Sequence, residues 1–248
     1  MLIDTHCHIH EADYPLPLAD VLKRADEADV GKMILVGTSE QSSEEAIKLA
    51  ATYEQLFATV GVHPHDTKDG YGKIAELAKK DVVAVGEVGL DYFYNHSPRE
   101  VQIEALESQI QTALDNDLPI IFHVRDAFKD FWPLLDNFHG IRGELHSFTD
   151  TQANLEEGFT RGLYVGVNGI STFTKDAAQQ QMYASIPLEK MLLETDAPFL
   201  TPYPHRGKVN EPAFVSEVAW FHATVRGIDP SDVAKATTKN ASTLFNLN

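Results

Sequence analysis

Eight short apolar runs recur along the chain: Leu2-Ile3, Met33 to Val36, Phe57 to Val62, Val82 to Val85, Ile120 to Phe122, Ile141 to Leu145, Leu163 to Val167 and Met191 to Leu193. Each is too short and too rich in branched aliphatic residues for a buried helix, and each reads as a strand covered on both faces. Between them the spacing changes to that of helices, as in Leu18-Val21-Leu22-Ala25 and Val101-Ala105-Leu106-Gln109-Ala113. The second of these opens at Ser97-Pro98, which reads as a cap followed by proline at the first helical position. Strand starts fall roughly 20 to 40 residues apart, the repeat of βα units, and eight such units predict a closed (β/α)8 TIM barrel. A doubly wound open sheet would require a phosphate-binding G-x-G-x-x-G after an early strand, and Gly37-Thr38-Ser39 does not supply one.

The 248 residues, 43% of them hydrophobic, suffice for one large core, and no linker or low-complexity tract divides them, so a single domain over 1–248 is expected. The extended irregular stretch is Pro198 to Pro212, read as a long loop after the eighth strand. From Asp229-Pro230-Ser231 onward, Val233, Ala236, Ala241, Leu244 and Phe245 mark a helix that docks on the barrel. The net charge of −17 argues against a groove that tracks a long stretch of nucleic-acid backbone. Cys7 is the single cysteine, so no intramolecular disulfide forms, and the start of the chain has no charged segment leading into an apolar run; the expected compartment is the cytoplasm. No stretch of about 18 apolar residues occurs, so no membrane association is expected.

The ionisable residues gather where the predicted strands end. His6 and His8 close the first strand and, two apart, share a face, with backbones roughly 6 to 7 Å apart. Cys7 between them faces away. Gly61-Val62-His63-Pro64-His65 follows the third strand, Gly86-Glu87-Val88-Gly89-Leu90-Asp91 the fourth, His123-Val124-Arg125 the fifth, His146 the sixth and Glu194-Thr195-Asp196 the eighth. In a barrel these ends ring one mouth, where barrel enzymes keep their chemistry. Six nitrogen and oxygen donors, His6, His8, Glu87, His123, His146 and Asp196, are too many for one tetrahedral ion and suit two, with Glu87 as the bridge. Imidazole with carboxylate suits Zn, Mn, Fe or Co; Mg prefers more oxygen but stays within the set.

Taken together, His6-x-His8, Gly61 to His65, Gly86 to Asp91, His123-x-Arg125, His146-x-Phe148, Glu194 to Pro198 and Arg206-Gly207-Lys208-Val209-Asn210-Glu211-Pro212 resemble the TatD family of metal-dependent hydrolases, in order from residue 3 to past 212. The resemblance implies an amidohydrolase-like TIM barrel, up to two divalent metals and deoxyribonuclease activity at DNA ends. The family's metal positions fall on the same six residues. Ser147 stands where many relatives carry Cys, Thr149-Asp150 where a small residue and Gly are usual, and Val209 where relatives often carry Arg. Some members lack the H-x-H pair, so this chain resembles the better-equipped branch that carries it.

The expected reaction is hydrolysis of a phosphodiester by water activated between two metal ions. Asp196 would accept the water's proton, and His63 would polarise the phosphate, protonate the leaving oxygen or orient a ligand. Arg125, His65, Asp91, Arg206 and Asn210 make up the expected substrate-facing set, Arg125 as a phosphate clamp, its alternative being a salt bridge to Asp91 or another acid at the mouth. Tyr92, Phe93, Tyr94 and Tyr203 border the same mouth and are candidates for base stacking. His10, His96, His139, His205 and His222 lack strand-end positions and read as surface or packing residues. DNA, short, single-stranded or at ends, is the expected substrate. The alternative is an ester or amide hydrolase, such as a D-aminoacyl-tRNA deacylase or small-molecule amidohydrolase, because an activated water attacks carbonyls as well.

Overall fold

Parallel strands buried on both faces need apolar residues at almost every position, and the chain supplies eight of them. The structure, a computed structural model, describes residues 1–247, so the last position of the expected 1–248 domain lies outside the described residues. Among the described residues the strands are β1 (Leu2–Cys7), β2 (Val30–Leu35), β3 (Leu56–Val60), β4 (Ala84–Asp91), β5 (Ile120–Arg125), β6 (Gly143–Leu145), β7 (Tyr164–Val167) and β8 (Met191–Leu193). They form one parallel sheet in the order β1 to β8, a nearly closed barrel with helices in the connections. The chain divides into two compact units, Met1–Ile34 with the residues from Ser147 on, and Leu35–His146. None of the described helices is long and apolar enough to cross a membrane.

In the first unit, the helix Leu18–Glu27 buries Val21, Leu22 and Ala25, as its spacing predicts. The helix Pro230–Phe245 opens on Asp229, whose side chain accepts from Ser231 N–H at 2.8 Å, and packs on β1 and β8. Its Asn240 donates to the carbonyls of Leu188 at 2.7 Å and Met191 at 2.8 Å, which fixes the start of β8. Residues 198–211 are irregular, as expected of the proline-rich stretch.

In the second unit, β4 runs six residues beyond the predicted Val82 to Val85. The glycines at 86 and 89 hide it in the sequence by interrupting the apolar run. Its pairing with β5 contains a bulge, Val85 opposite Ile120 but Val88 opposite Phe122, so one extra residue is inserted where Glu87 must point inward. Gly89 is required here: a Cβ would lie 1.8 Å from the carbonyl oxygen of His123, and its φ is +156°.

The helix Arg99–Asp115 departs from the expected capping. Pro98, not Ser97, is the residue that flanks it, and no side chain caps it. Ser97 Oγ instead donates to His65 O at 2.6 Å and accepts from Lys68 N–H, which ties the approach to the helix to the loop after β3. The helix contributes two buried glutamines one heptad apart. Gln109 accepts from Val62 N–H at 2.7 Å, and Gln102 accepts from Asp91 N–H at 2.8 Å, so one helical face holds the chain where it leaves β3 and β4.

Candidate metal centre

In the first unit, His6 and His8 are buried at the end of β1 and point to the same side. Their Nε2 atoms are 3.2 Å apart, and Asp196 Oδ1 lies 3.4 Å from His8 Nε2 and 3.8 Å from His6 Nε2. Two tetrahedral ligands at about 2.0–2.1 Å from one ion stand roughly 3.3 Å from each other. The two closer edges therefore match what a small divalent cation requires. Cys7 turns away and its thiol donates to Ile34 O at 3.4 Å.

Backbone bonds bring Asp196 to this place. Asp196 N–H donates to His6 O and His8 N–H to Ala197 O, both at 2.8 Å. Asp196 adopts φ +56°, a left-handed conformation that aspartate tolerates better than most residues. Beneath it, buried Asp4 accepts from Thr195 N–H at 2.8 Å and from Thr195 Oγ1 at 2.6 Å. Burial pushes the Asp4 carboxyl up to about 7 against these bonds. Glu194, also buried, accepts from Ser147 N–H at 2.8 Å and from Asn168 Nδ2 at 3.1 Å. Gly166 leaves room for it, since a Cβ there would lie 2.2 Å from Glu194 Oε2.

In the second unit, Glu87 is the centre. Its Oε1 lies 2.8 Å from His123 Nδ1, 3.5 Å from His63 Nε2 and 3.8 Å from His146 Nε2. Donor atoms of His63, Glu87 and His123 all fall within 4.8 Å of one another. His123 turns its other nitrogen, Nε2, to Asp91 Oδ2 at 3.2 Å. Burial opposes charging of His123, but the hydrogen bonds to Asp91 and Glu87 outweigh it and raise its pKa. Carboxylates that hold a proton on an imidazole supply the same field that holds a divalent cation. Asp91 is buried, which alone would raise its pKa, yet bonds from His123, Tyr94 N–H and His65 hold it well below the usual carboxylate range.

His63 lies beside this cluster, with Nε2 3.5 Å from Glu87 Oε1. Burial, with His123 beside it, holds its pKa well below 6.5. Its Nδ1 accepts from His65 N–H at 3.2 Å, which leaves the proton of the neutral ring on Nε2. His65 places Nε2 2.9 Å from Asp91 Oδ2.

The remaining expected substrate-facing residues have local partners. Arg125 lays its guanidinium over Phe93 and Tyr94, at 4.2 and 4.9 Å from the ring centres. Arg206 covers Phe173 at 3.8 Å and donates to Thr201 O at 2.7 Å. Asn210 is fully buried and donates to Thr195 O at 2.8 Å and to Phe199 O. His205 stacks on Phe214 at 4.1 Å, and His222 is buried with Nε2 3.1 Å from Ser171 Oγ. The sequence reading assigned no role to Asp4, Thr195, Asn168, Gln102 or Gln109. For Asp4 a signal was present: an acid two residues before His6 on the same face of the strand.

The family described as TatD related DNase matches residues 3–246. The uncharacterized metal-dependent hydrolase YabD of Bacillus subtilis is 36% identical over 255 residues, covering all of both chains. The 3'-5' ssDNA/RNA exonuclease TatD of Citrobacter rodentium is 38% identical over 240 residues, 92% of this chain and 91% of the relative. Among solved structures, YJJV, a TatD homolog from Escherichia coli K12, superposes with a TM-score of 0.90 at 30% identity, covering 99% of this chain and 98% of that one.

Proposed function

Because the chain belongs to the TatD family of metal-dependent hydrolases, we propose that it is an exonuclease that removes nucleotides from the ends of single-stranded DNA, with two divalent ions bound at the two clusters. The observation that supports the metal reading is the spacing of His6, His8 and Asp196, two of whose three edges already match one small cation. Those three residues would hold one ion; Glu87, His123 and His146 would hold the second. Zn, Mn, Fe, Co and Mg all remain compatible with such ligands. When bound, such ions activate water and neutralise charge on a phosphate.

The protein's own groups supply the rest. His63, neutral with its proton on Nε2, is suited to donate a hydrogen bond to a phosphate oxygen or to the departing oxygen. Asp196 would accept the proton of the attacking water. Asp91 orients His123 and His65 through one oxygen and leaves neither ring free to rotate. Hydrolysis of a carboxylic ester or amide is the weaker reading, since close relatives are named as exonucleases.

The test loads purified protein in turn with Mg, Mn and Zn and supplies end-labelled single- and double-stranded DNA, D-aminoacyl-tRNA and a panel of esters and amides. Metal-dependent shortening of the single strand from its 3' end is expected. Cleavage of esters or amides with no loss of nucleotides would sink the nuclease reading. Elemental analysis of His6→Ala and Glu87→Ala addresses the metals: each variant is expected to lose the ion of its own cluster, and unchanged metal content in both would refute the assignment.

A further inference from the structure

The turn after β4 holds two aromatic rings out in solvent. Asp91, the last residue of β4, is buried, and its two oxygens have separate duties. Oδ2 faces His123 and His65, as described above. Oδ1 accepts the backbone N–H of Phe93 at 2.9 Å and of Tyr94 at 3.0 Å. Phe93 and Tyr94 nevertheless remain 54% and 51% exposed. Their rings meet edge to face with centroids 4.8 Å apart, and the Arg125 guanidinium lies against both. Tyr94 is further backed by His96, nearly parallel at 17° and 5.6 Å. Tyr92 is different: it is buried, donates to Asp130 at 3.1 Å and lies under Arg99, so it anchors the turn.

Two large rings in water contribute little to folding, and here hydrogen bonds, a cation and a neighbouring imidazole restrain them. The two rings stand at 85° to each other, so the pair offers the face of a single ring at a time, and a ring face ordered before any ligand arrives matches a flat π-faced ligand. In a chain of net charge −17, attraction of phosphates along a strand is weak, so recognition of a nucleic acid must rest on contacts that carry no charge requirement. Base stacking is such a contact.

We propose that Phe93, Tyr94 and Arg125 form a stacking platform for an unpaired nucleobase of the substrate strand, positioned by the same Asp91 carboxylate that orients His123. This deepens the nuclease reading above and rests on it for the identity of the substrate. The platform is a positioning site: it selects single strands because a base in a duplex has its faces already covered.

The experiment uses metal-loaded protein and a single-stranded thymidine decamer with phosphorothioate linkages and one 2-aminopurine, whose fluorescence is quenched when it stacks. Quenching on binding is expected for the wild type. Phe93→Ala and Tyr94→Ala should each weaken binding roughly five-fold or more, and Phe93→Trp should restore it. With cleavable DNA, Phe93→Ala should raise KM by a similar factor and leave kcat unchanged, while KM for an abasic strand of the same length stays at the wild-type value. Absence of quenching in the wild type, or full quenching in both alanine variants, overturns the platform. Quenching that depends on Phe93 in a protein that cleaves no phosphodiester supports the platform and overturns the nuclease reading.

Discussion

Asp4 takes two hydrogen bonds from Thr195, one from its N–H to Oδ1 at 2.8 Å and one from its hydroxyl to Oδ2 at 2.6 Å. Both residues are buried. The pair thus joins the strand position two before His6 to the position one before Asp196, and it stands beneath all three proposed ligands of one ion. Thr195→Val preserves the shape and removes the hydroxyl, leaving Asp4 Oδ2 without that donor. A loss of roughly 1–3 kcal/mol is expected in urea denaturation, with weaker metal retention on dialysis. A variant with the wild-type midpoint and metal content would show that this bond does not place Asp196.

Asn210 spends its amide on the backbone of the loop that carries Asp196, donating to Thr195 O and Phe199 O. Asn210→Ala should therefore lower thermal stability, by about 1–3 kcal/mol for the buried acceptors left unpaired, and lower kcat through a displaced Asp196. A raised KM with unchanged stability would instead support the substrate-facing role expected from sequence.

At Gly89 a methyl group has no place to go, with the His123 carbonyl oxygen 1.8 Å from the Cβ position. Gly89→Ala should separate β4 from β5 or leave the chain unfolded, a cost at or above the roughly 1–3 kcal/mol typical of overpacking. Soluble yield and far-ultraviolet circular dichroism provide the check, and a normally folded, fully active variant would contradict the packing described.

His222 links stability to pH at a distance from the proposed ligands. Burial, with the Arg226 charge nearby, pushes its pKa down to about 3 from an ordinary 6.5. The unfolded chain therefore binds the extra proton between those values. Its contribution is complete above about pH 6.5 and is lost as pH falls toward 3. His222→Gln should flatten the dependence of the denaturation midpoint on pH across that window. Parallel curves for variant and wild type would assign acid sensitivity to other groups.

The strand and helix pattern was legible because it is local. An apolar run of four or five residues, or a 3.6-residue spacing such as Val21, Leu22 and Ala25, carries its meaning within a single element. The positions of His6, His123 and Asp196 could be read for the same reason, since each lies in or just past the C-terminal half of its own strand. The end of β4 was misjudged because Gly86 and Gly89 resemble turn residues until β5 is seen beside them.

Partner choice was not legible. Asp91, Arg125, Arg206 and Asn210 all looked able to meet a substrate, and their side-chain chemistry permits it. The fold gives each of them neighbours within the chain that the sequence does not name: two imidazoles and two N–H groups for Asp91, aromatic rings for the arginines and carbonyls for Asn210. Residue type and spacing are properties of the chain and determined the barrel and the candidate ligands. Which donor meets which acceptor depends on contacts between residues as distant in sequence as Asp4 and Thr195, and only packing in three dimensions sets those.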